Sequence, residues 1–168
     1  TILAVLTAGA LLLSACGGGA KKASNTLTIG TFSDIVALNP IMIDDTSSGA
    51  IAYFTFANLY DVNDKANIEV TERSIAAEMP VVSADQKTYT IKLKDYAKWS
   101  DGTPITAEDV AWTLNTYANP KTGSPGYSLF AQIKEARAVD ATTVEIELKD
   151  VDARFMLSLA FQPVPKHA

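Results

Sequence analysis

The chain holds one cysteine, Cys16, one histidine, His167, and two adjacent acid pairs, Asp44-Asp45 and Glu108-Asp109. A thiol near an imidazole can be a nucleophile, and clustered His, Cys and carboxylate groups can hold a metal. The counts exclude most of that chemistry. One cysteine forms no internal disulfide, zinc cage or iron–sulfur site, and one histidine supplies no multi-histidine centre. A reactive thiol needs a neighbouring base or a helix N-terminus, and His167 stands at the far end of the sequence from Cys16. A Gly-x-Ser-x-Gly elbow, a Walker loop, a dinucleotide-binding glycine fingerprint and a His-Glu-x-x-His pair are all absent. No catalytic residue, metal site or cofactor is therefore expected. Glu108-Asp109 has a structural explanation in the first turn of a helix, where acids suit the positive end. Asp44-Asp45 stays open between a solvated loop and a ligand-facing one. Trp112 is expected in the core, Trp99 beneath a turn rather than facing a cleft, and His167 on the surface.

Cys16 keeps one chemistry, acylation. It follows the apolar run Ile2–Leu13 and the pair Ser14-Ala15, and precedes Gly17-Gly18-Gly19-Ala20-Lys21-Lys22. The run is about 12 residues, whereas a membrane-spanning helix needs roughly 20; its length suits the apolar region of a signal peptide. Leu13-Ser14-Ala15-Cys16 resembles a bacterial lipobox. That resemblance implies cleavage before Cys16 and a diacylglyceryl group on its thiol. The alternative is a buried core helix with a stray cysteine, but no polar face interrupts Ile2–Leu13. Residues 1–15 are read as the remnant of a signal whose basic start lies upstream of Thr1. Residues 16–26 are read as the lipidated cysteine and a flexible tether with a reach of roughly 15–20 Å. Each buried methylene of an anchor contributes about 0.8 kcal/mol, and one acyl chain alone holds only marginally.

The remaining 150 or so residues suffice for one core of ordinary size. The formal net charge of -5 and the scattered lysines argue against nucleic acid as a partner. Hydrophobic residues make up 48% of the chain, a globular rather than disordered proportion.

The elements that would position these residues follow from periodicity. Thr26–Thr31 alternates as a strand. Asp34–Thr46, with Asn39-Pro40, reads as a loop. Ser47 or Ser48 can cap a well-buried apolar helix running to about Tyr60. Asp61–Ser74 reads as a short hairpin or loop, Glu78–Ser83 as a strand and Asp85-Gln86-Lys87 as a turn. Thr88–Leu93 is the clearest strand, with Tyr89, Ile91 and Leu93 on one face. Asp101-Gly102-Thr103-Pro104 signals a turn. Thr106 and Asp109 stand at capping-box spacing before a helix that runs to about Tyr117, burying Val110, Ala111, Leu114 and Tyr117. Asn119-Pro120 ends it, and Lys121–Tyr127 is a loop. Ala136–Asp140 and Thr143–Leu148 form a hairpin, with Val144, Ile146 and Leu148 facing inward. Asp152 can cap a last helix through Leu159, which stops before Pro163. The class is mixed α/β (α+β), with at least one antiparallel pair.

The block Lys98-Trp99-Ser100-Asp101-Gly102-Thr103-Pro104-Ile105-Thr106-Ala107-Glu108-Asp109-Val110 closely resembles the signature of family 5 extracellular solute-binding proteins, the peptide-binding receptors of ABC importers. Ser83–Leu93 matches the strand–turn–strand before that signature. Pro163-Val164-Pro165-Lys166-His167, Leu38-Asn39-Pro40 and Asn58-Leu59-Tyr60 are similar to further family motifs, with Asn39 where aspartate is commoner. The resemblance implies a type II periplasmic-binding-protein-like bilobed fold with an extra subdomain, of which this sequence holds the N-terminal part. On that plan residues 27–45 start lobe I, 46–162 form the extra subdomain and 163–168 return toward lobe I. Such receptors close two lobes on a ligand and pair its main chain with backbone groups, leaving roomy, wet side-chain pockets. The closed state is the one a permease would recognise.

The resemblance thus implies a lipid-anchored, extracytoplasmic monomer that captures peptides, with ABC permease subunits as partners and no enzymatic activity. Asp44, Asp45, Thr46 and Ser47 are the candidate ligand-rim residues, and Cys16 is the candidate lipidation site. The same family also takes nickel chelates, sugars and other solutes. A surface interaction or signalling lipoprotein without a transport role is the alternative from another class.

Overall fold

The computed structural model describes residues 29–168. Cys16, the signal remnant, the tether and the first part of the expected strand Thr26–Thr31 lie outside the described residues. The chain divides into two units, residues 1–31 and 32–168. Of the first, Ile29, Gly30 and Thr31 are described, and they are not in a strand. Alternation yields a strand only where another strand pairs with it, and the described sheets do not include this segment.

In the second unit, a four-stranded antiparallel sheet carries one long helix. The strands are β1 (Asp61–Val62), β2 (Ile68–Glu69), β3 (Val81–Val82), β4 (Thr88–Lys92), β5 (Ile133–Ala138) and β6 (Thr143–Leu148). The helices are α1 (Thr46–Thr55), α2 (Ala107–Tyr117), α3 (Tyr127–Phe130) and α4 (Phe155–Ser158). β1 and β2 form a separate hairpin, and the main sheet runs β3-β4-β6-β5. β4 pairs with β6 through Tyr89↔Ile146 and Ile91↔Val144. This register puts the apolar residues of both strands on one face. Tyr89, Ile91, Val144, Ile146 and Leu148 are all buried there, beneath Val110, Ala111, Leu114 and Tyr117 of α2. Mixed α/β is the class observed, and the elements with the strongest periodicity lie where the pattern placed them.

The sequence differs from the structure where a turn or a tertiary contact decides. α1 is capped by Asp45, not by Ser47 or Ser48, and ends at Thr55. Asp45 Oδ1 accepts the Ser48 N–H at 2.8 Å, and carboxylates rank with serine as caps. Ser48 is fully buried instead, its hydroxyl accepting the N–H groups of Val36 and Ala37 at 3.0 and 3.2 Å. α1 is not the well-buried helix its composition implies: it buries only Ser48 and Ala52, while Phe54 is 71% exposed. Leu59 and Tyr60 are buried, but in the bend beyond it. Trp112 points outward from α2 and is 37% exposed. Its neighbours Ala111 and Thr113 take the buried positions, so the expected core role is overturned.

Smaller corrections follow the same logic. Only Val81–Val82 of the expected Glu78–Ser83 strand pairs with β4, because Pro80 offers no N–H to a ladder. Pro40–Met42 and Pro120–Thr122 are 3-10 turns inside segments read as loops, each capped by the asparagine before the proline. The last helix spans only Phe155–Ser158. Asp152 still accepts the Arg154 N–H at 2.9 Å, but Leu157 is exposed.

Candidate functional site

The signature block forms a turn, a helix cap and a joint. Asp101 Oδ1 accepts the Thr103 N–H at 2.9 Å and Gly102 adopts φ 90°, a left-handed conformation that favours glycine. Thr106 caps α2 with a reciprocal capping box to Asp109. The Asp109 carboxylate is 5% exposed and serves four donors. Oδ2 accepts from the Thr106 N–H and hydroxyl, both at 2.9 Å, and from the Trp99 indole N–H at 3.3 Å. Oδ1 accepts the Lys166 N–H at 2.9 Å. Burial alone would raise the Asp109 pKa, but these donors outweigh it and hold the carboxyl below its ordinary range. Trp99 packs against the core as expected, but it also lines a cleft, which the sequence reading did not expect of it.

His167 is exposed, yet its Nε2 lies 2.8 Å from Asp101 Oδ2 and 3.3 Å from Thr103 Oγ1. The Asp101 carboxyl is held down to about 2, first by the Thr103 N–H and hydroxyl, then by His167. The signature turn and the Pro163–His167 motif therefore meet in space.

The Asp44–Ser47 loop lies at the N-terminus of α1. Asp44 and Thr46 are exposed. Asp45 is committed to capping, and Ser48, by its side chain and its amide, holds the Asp45 carboxyl below the ordinary carboxylate range. Asp45 Oδ2 is shut off from solvent with no hydrogen-bond partner. The Ser47 hydroxyl lies 2.8 Å from that of Ser33. Of the four candidate residues, Asp44 and Thr46 thus stand open to solvent, while Asp45 and Ser47 have local roles.

The Pro40–Met42 turn that precedes this loop is held from the C-terminal end of α2 and from the segment beyond it. Tyr117 donates its hydroxyl to the Pro40 carbonyl at 3.0 Å, and Ser124 donates to the Ile41 carbonyl at 2.5 Å. Burial pushes the Tyr117 phenol up to about 12. Gly126 lets the chain pass close to Tyr117: a Cβ there would come within 2.9 Å of the ring. A cavity of about 390 Å³ opens instead beside β2 and α4, and one of about 260 Å³ lies between Ile43, Gly126, Leu129 and Phe161, next to the candidate loop. A larger concave surface among the described residues, about 750 Å³, lies elsewhere, between Pro40, Phe56, Trp99, Asp101, Val164 and His167, and Asp44–Ser47 do not line it. No local sequence pattern marks this cleft, because its walls come from segments far apart in the chain. The described residues hold no cluster of three or more His, Cys, Asp or Glu able to bind a metal. They also contain no helix long and apolar enough to cross a membrane.

Known proteins resemble the chain throughout this unit. It is similar to the glutathione-binding protein GsiB of Escherichia coli, 30% identical over 158 residues, which is 94% of this chain and 29% of GsiB. The chain therefore spans less than a third of the length of the curated relatives it matches. The structure of OppA bound to peptide, from Listeria monocytogenes, superposes with a TM-score of 0.67 at 27% identity, over 77% of this chain and 28% of OppA. NikZ from Campylobacter jejuni in complex with Ni(L-His) superposes with a TM-score of 0.70 at 27% identity, over 80% of this chain and 26% of NikZ. The fold is accordingly part of a type II periplasmic-binding-protein-like architecture. Residues 72–168, more than half of the chain, match the family model "Bacterial extracellular solute-binding proteins, family 5 Middle". The turn, capping box and return segment built above all lie within that match, and the chain belongs to the family 5 bacterial extracellular solute-binding proteins.

Proposed function

We propose that this chain is the N-terminal portion of a substrate-binding receptor of an ABC importer, and that the receptor captures short peptides. The observation that carries the reading is the family match over residues 72–168, and the likeness to a glutathione-binding and a peptide-bound relative points to peptides. Residues 27–45 begin lobe I, 46–162 form the extra subdomain and 163–168 return toward lobe I. Asp44 and Thr46 contact ligand at the rim, on the loop that Asp45 fixes by capping α1. A diacylglyceryl group on Cys16 holds the receptor on the outer face of the cell membrane as a monomer, and ABC permease subunits receive its cargo. It transforms nothing.

Titration of the full-length receptor with a mixture of tri- and tetrapeptides, read by calorimetry and thermal shift, tests this. Saturable heat and a raised Tm are expected. Silence toward peptides with a clear response to Ni(L-His) would move the receptor to chelates, the cargo in the NikZ structure. Silence toward both would overturn the reading. Cys16→Ala is expected to release the receptor from the membrane fraction, and retention of the variant would overturn the anchor.

A further inference from the structure

The two edges of the main sheet differ. β3 is two residues long and follows Pro80, and a short strand and a proline both blunt an edge. β5 is six residues long, enough to template a further strand. Its Lys134 and Arg137 donate to Glu147 and Glu145 of β6, so these charges turn inward across the sheet and do not guard its rim. A concave surface of about 630 Å³, lined by Trp112, Asn115, Ala136 and Ala138, lies between α2 and this rim, so the helix does not cover the edge by itself.

The ladder decides which backbone groups face outward. Val139 N–H donates to the Thr143 carbonyl at 2.8 Å, and hydrogen-bonded pairs alternate with non-bonded ones between antiparallel strands. Ala136, opposite Ile146, and Ala138, opposite Val144, are therefore non-bonded pairs that direct N–H and C=O away from β6. Ala136 is 4% exposed, and a buried peptide group needs partners. The Asn115 side chain supplies both. Its Oδ1 accepts the Ala136 N–H at 3.0 Å, and its Nδ2 donates to the Ala136 carbonyl at 2.7 Å. A carboxamide offers one acceptor and donors side by side, so it pairs as a residue of a neighbouring strand would. Two turns earlier on α2, Ala107 N–H donates to the Ala141 carbonyl at 2.9 Å. That bond fixes the helix against the β5–β6 hairpin and aims Asn115 at the strand. Ala138 faces the same way and is exposed, and no side chain among the described residues bonds to its backbone.

We infer that Asn115 is a strand surrogate that ends the sheet at β5: its carboxamide occupies the pairing groups of Ala136 and excludes a further strand there, whether from elsewhere in the receptor or from a second copy of it. Asn115 is itself exposed, so the bidentate bond, not core packing, is what it contributes. Without it, two outward-facing residues of a long edge strand are open to pairing, the condition under which strands associate edge to edge.

Amide hydrogen exchange on the full-length receptor, without ligand, tests this. Ala136 and Ala138 face the same side, but only Ala136 meets Asn115, so its amide is expected to exchange more slowly than that of Ala138. Equal protection of the two would mean that another segment pairs along the edge, and equal lack of protection that the bidentate bond does not persist; either overturns the inference. Asn115→Ala at low concentration should speed Ala136 exchange roughly three- to tenfold, the range that one lost hydrogen bond gives, with Ile91 unchanged. At higher concentration the mass of this variant by light scattering should rise, while that of the unmodified receptor does not. Ala138→Pro removes the neighbouring outward N–H without breaking a ladder bond, so Asn115→Ala combined with Ala138→Pro should return the mass to that of the unmodified receptor. An Asn115→Ala variant whose mass never rises, or a double variant that associates as strongly as the single one, would refute the guard. If Asn115→Ala does not fold, the contrast between Ala136 and Ala138 in the unmodified receptor decides alone.

Discussion

Removing the Asp61 carboxylate tests how the hairpin end of this unit is held. Asp61 is 8% exposed. Its Oδ1 accepts from Asn58 Nδ2 at 2.8 Å, and its Oδ2 accepts the Thr71 hydroxyl in a short contact and the Ser74 hydroxyl at 3.5 Å. These bonds tie the segment entering β1 to the loop leaving β2. Burial alone would raise the Asp61 pKa, but hydrogen bonds from Thr71 and Asn58, with the charge of Arg73, lower it overall. Asp61→Ala leaves the Asn58 amide buried and the Thr71 hydroxyl partly so without their acceptor, and leaves the Ser74 hydroxyl with only the Glu69 carbonyl at 3.5 Å. Each orphaned group costs about 1–3 kcal/mol. The two hydroxyls can re-pair with each other, since Thr71 and Ser74 already lie 3.3 Å apart, so about 2–4 kcal/mol is expected rather than the full sum. At about 2–4 °C per kcal/mol for a domain of this size, Tm should fall by roughly 4–16 °C. The assay is urea denaturation at pH 7 and again near pH 3. The folded pKa is depressed, so the contribution is present above the ordinary carboxylate value and is lost as pH falls through the folded one. The deficit of Asp61→Ala should therefore shrink toward acid. A loss under about 0.5 kcal/mol at pH 7, the level of an ordinary surface substitution, would refute the network as a source of stability. A deficit that stays constant into acid would refute the charged acceptor.

Three other perturbations have defined outcomes. Asp45→Ala removes the cap of α1 and should cost about 0.5–2 kcal/mol in denaturation; Asp45→Asn should recover most of it, whatever either variant does to ligand affinity. Leu114→Ala opens a void between α2 and the sheet, where Leu114 is fully buried, and should cost about 2–5 kcal/mol. In Asp101→Asn the stability lost between about pH 4 and 2 should be smaller than in the unmodified protein, because the Asp101 carboxyl, depressed to about 2, stabilises above pH 4 and ceases to do so as it takes up its proton. Superimposable pH–Tm profiles would exclude the turn contact as a source of acid sensitivity.

The strongest local patterns carried most of the fold. Thr88–Leu93 alternates cleanly, and β4 follows it with Tyr89, Ile91 and Leu93 buried. Thr106 and Asp109 stand at capping-box spacing, and the box closes. The site was less legible. Asp44 and Thr46 are exposed, but the residue types alone could not show that Asp45 would be absorbed by a cap and Ser47 by Ser33. α1 was misread because apolar composition does not fix which side is covered, and Phe54 remains exposed.

The amino-acid order alone settled β4, β6, the α2 cap and the turn at Gly102, since each depends on neighbours within four residues or on a two-residue period. It also supplied the motifs that placed the chain in its family. Tertiary structure alone decided that Asp109 would serve Lys166, that Tyr117 would hold Pro40, and that His167 would meet Asp101. Those partners lie 57 to 77 residues apart in sequence, and a hydrogen-bonding side chain carries no mark of a distant partner until packing brings the two together and excludes the water that would otherwise satisfy both.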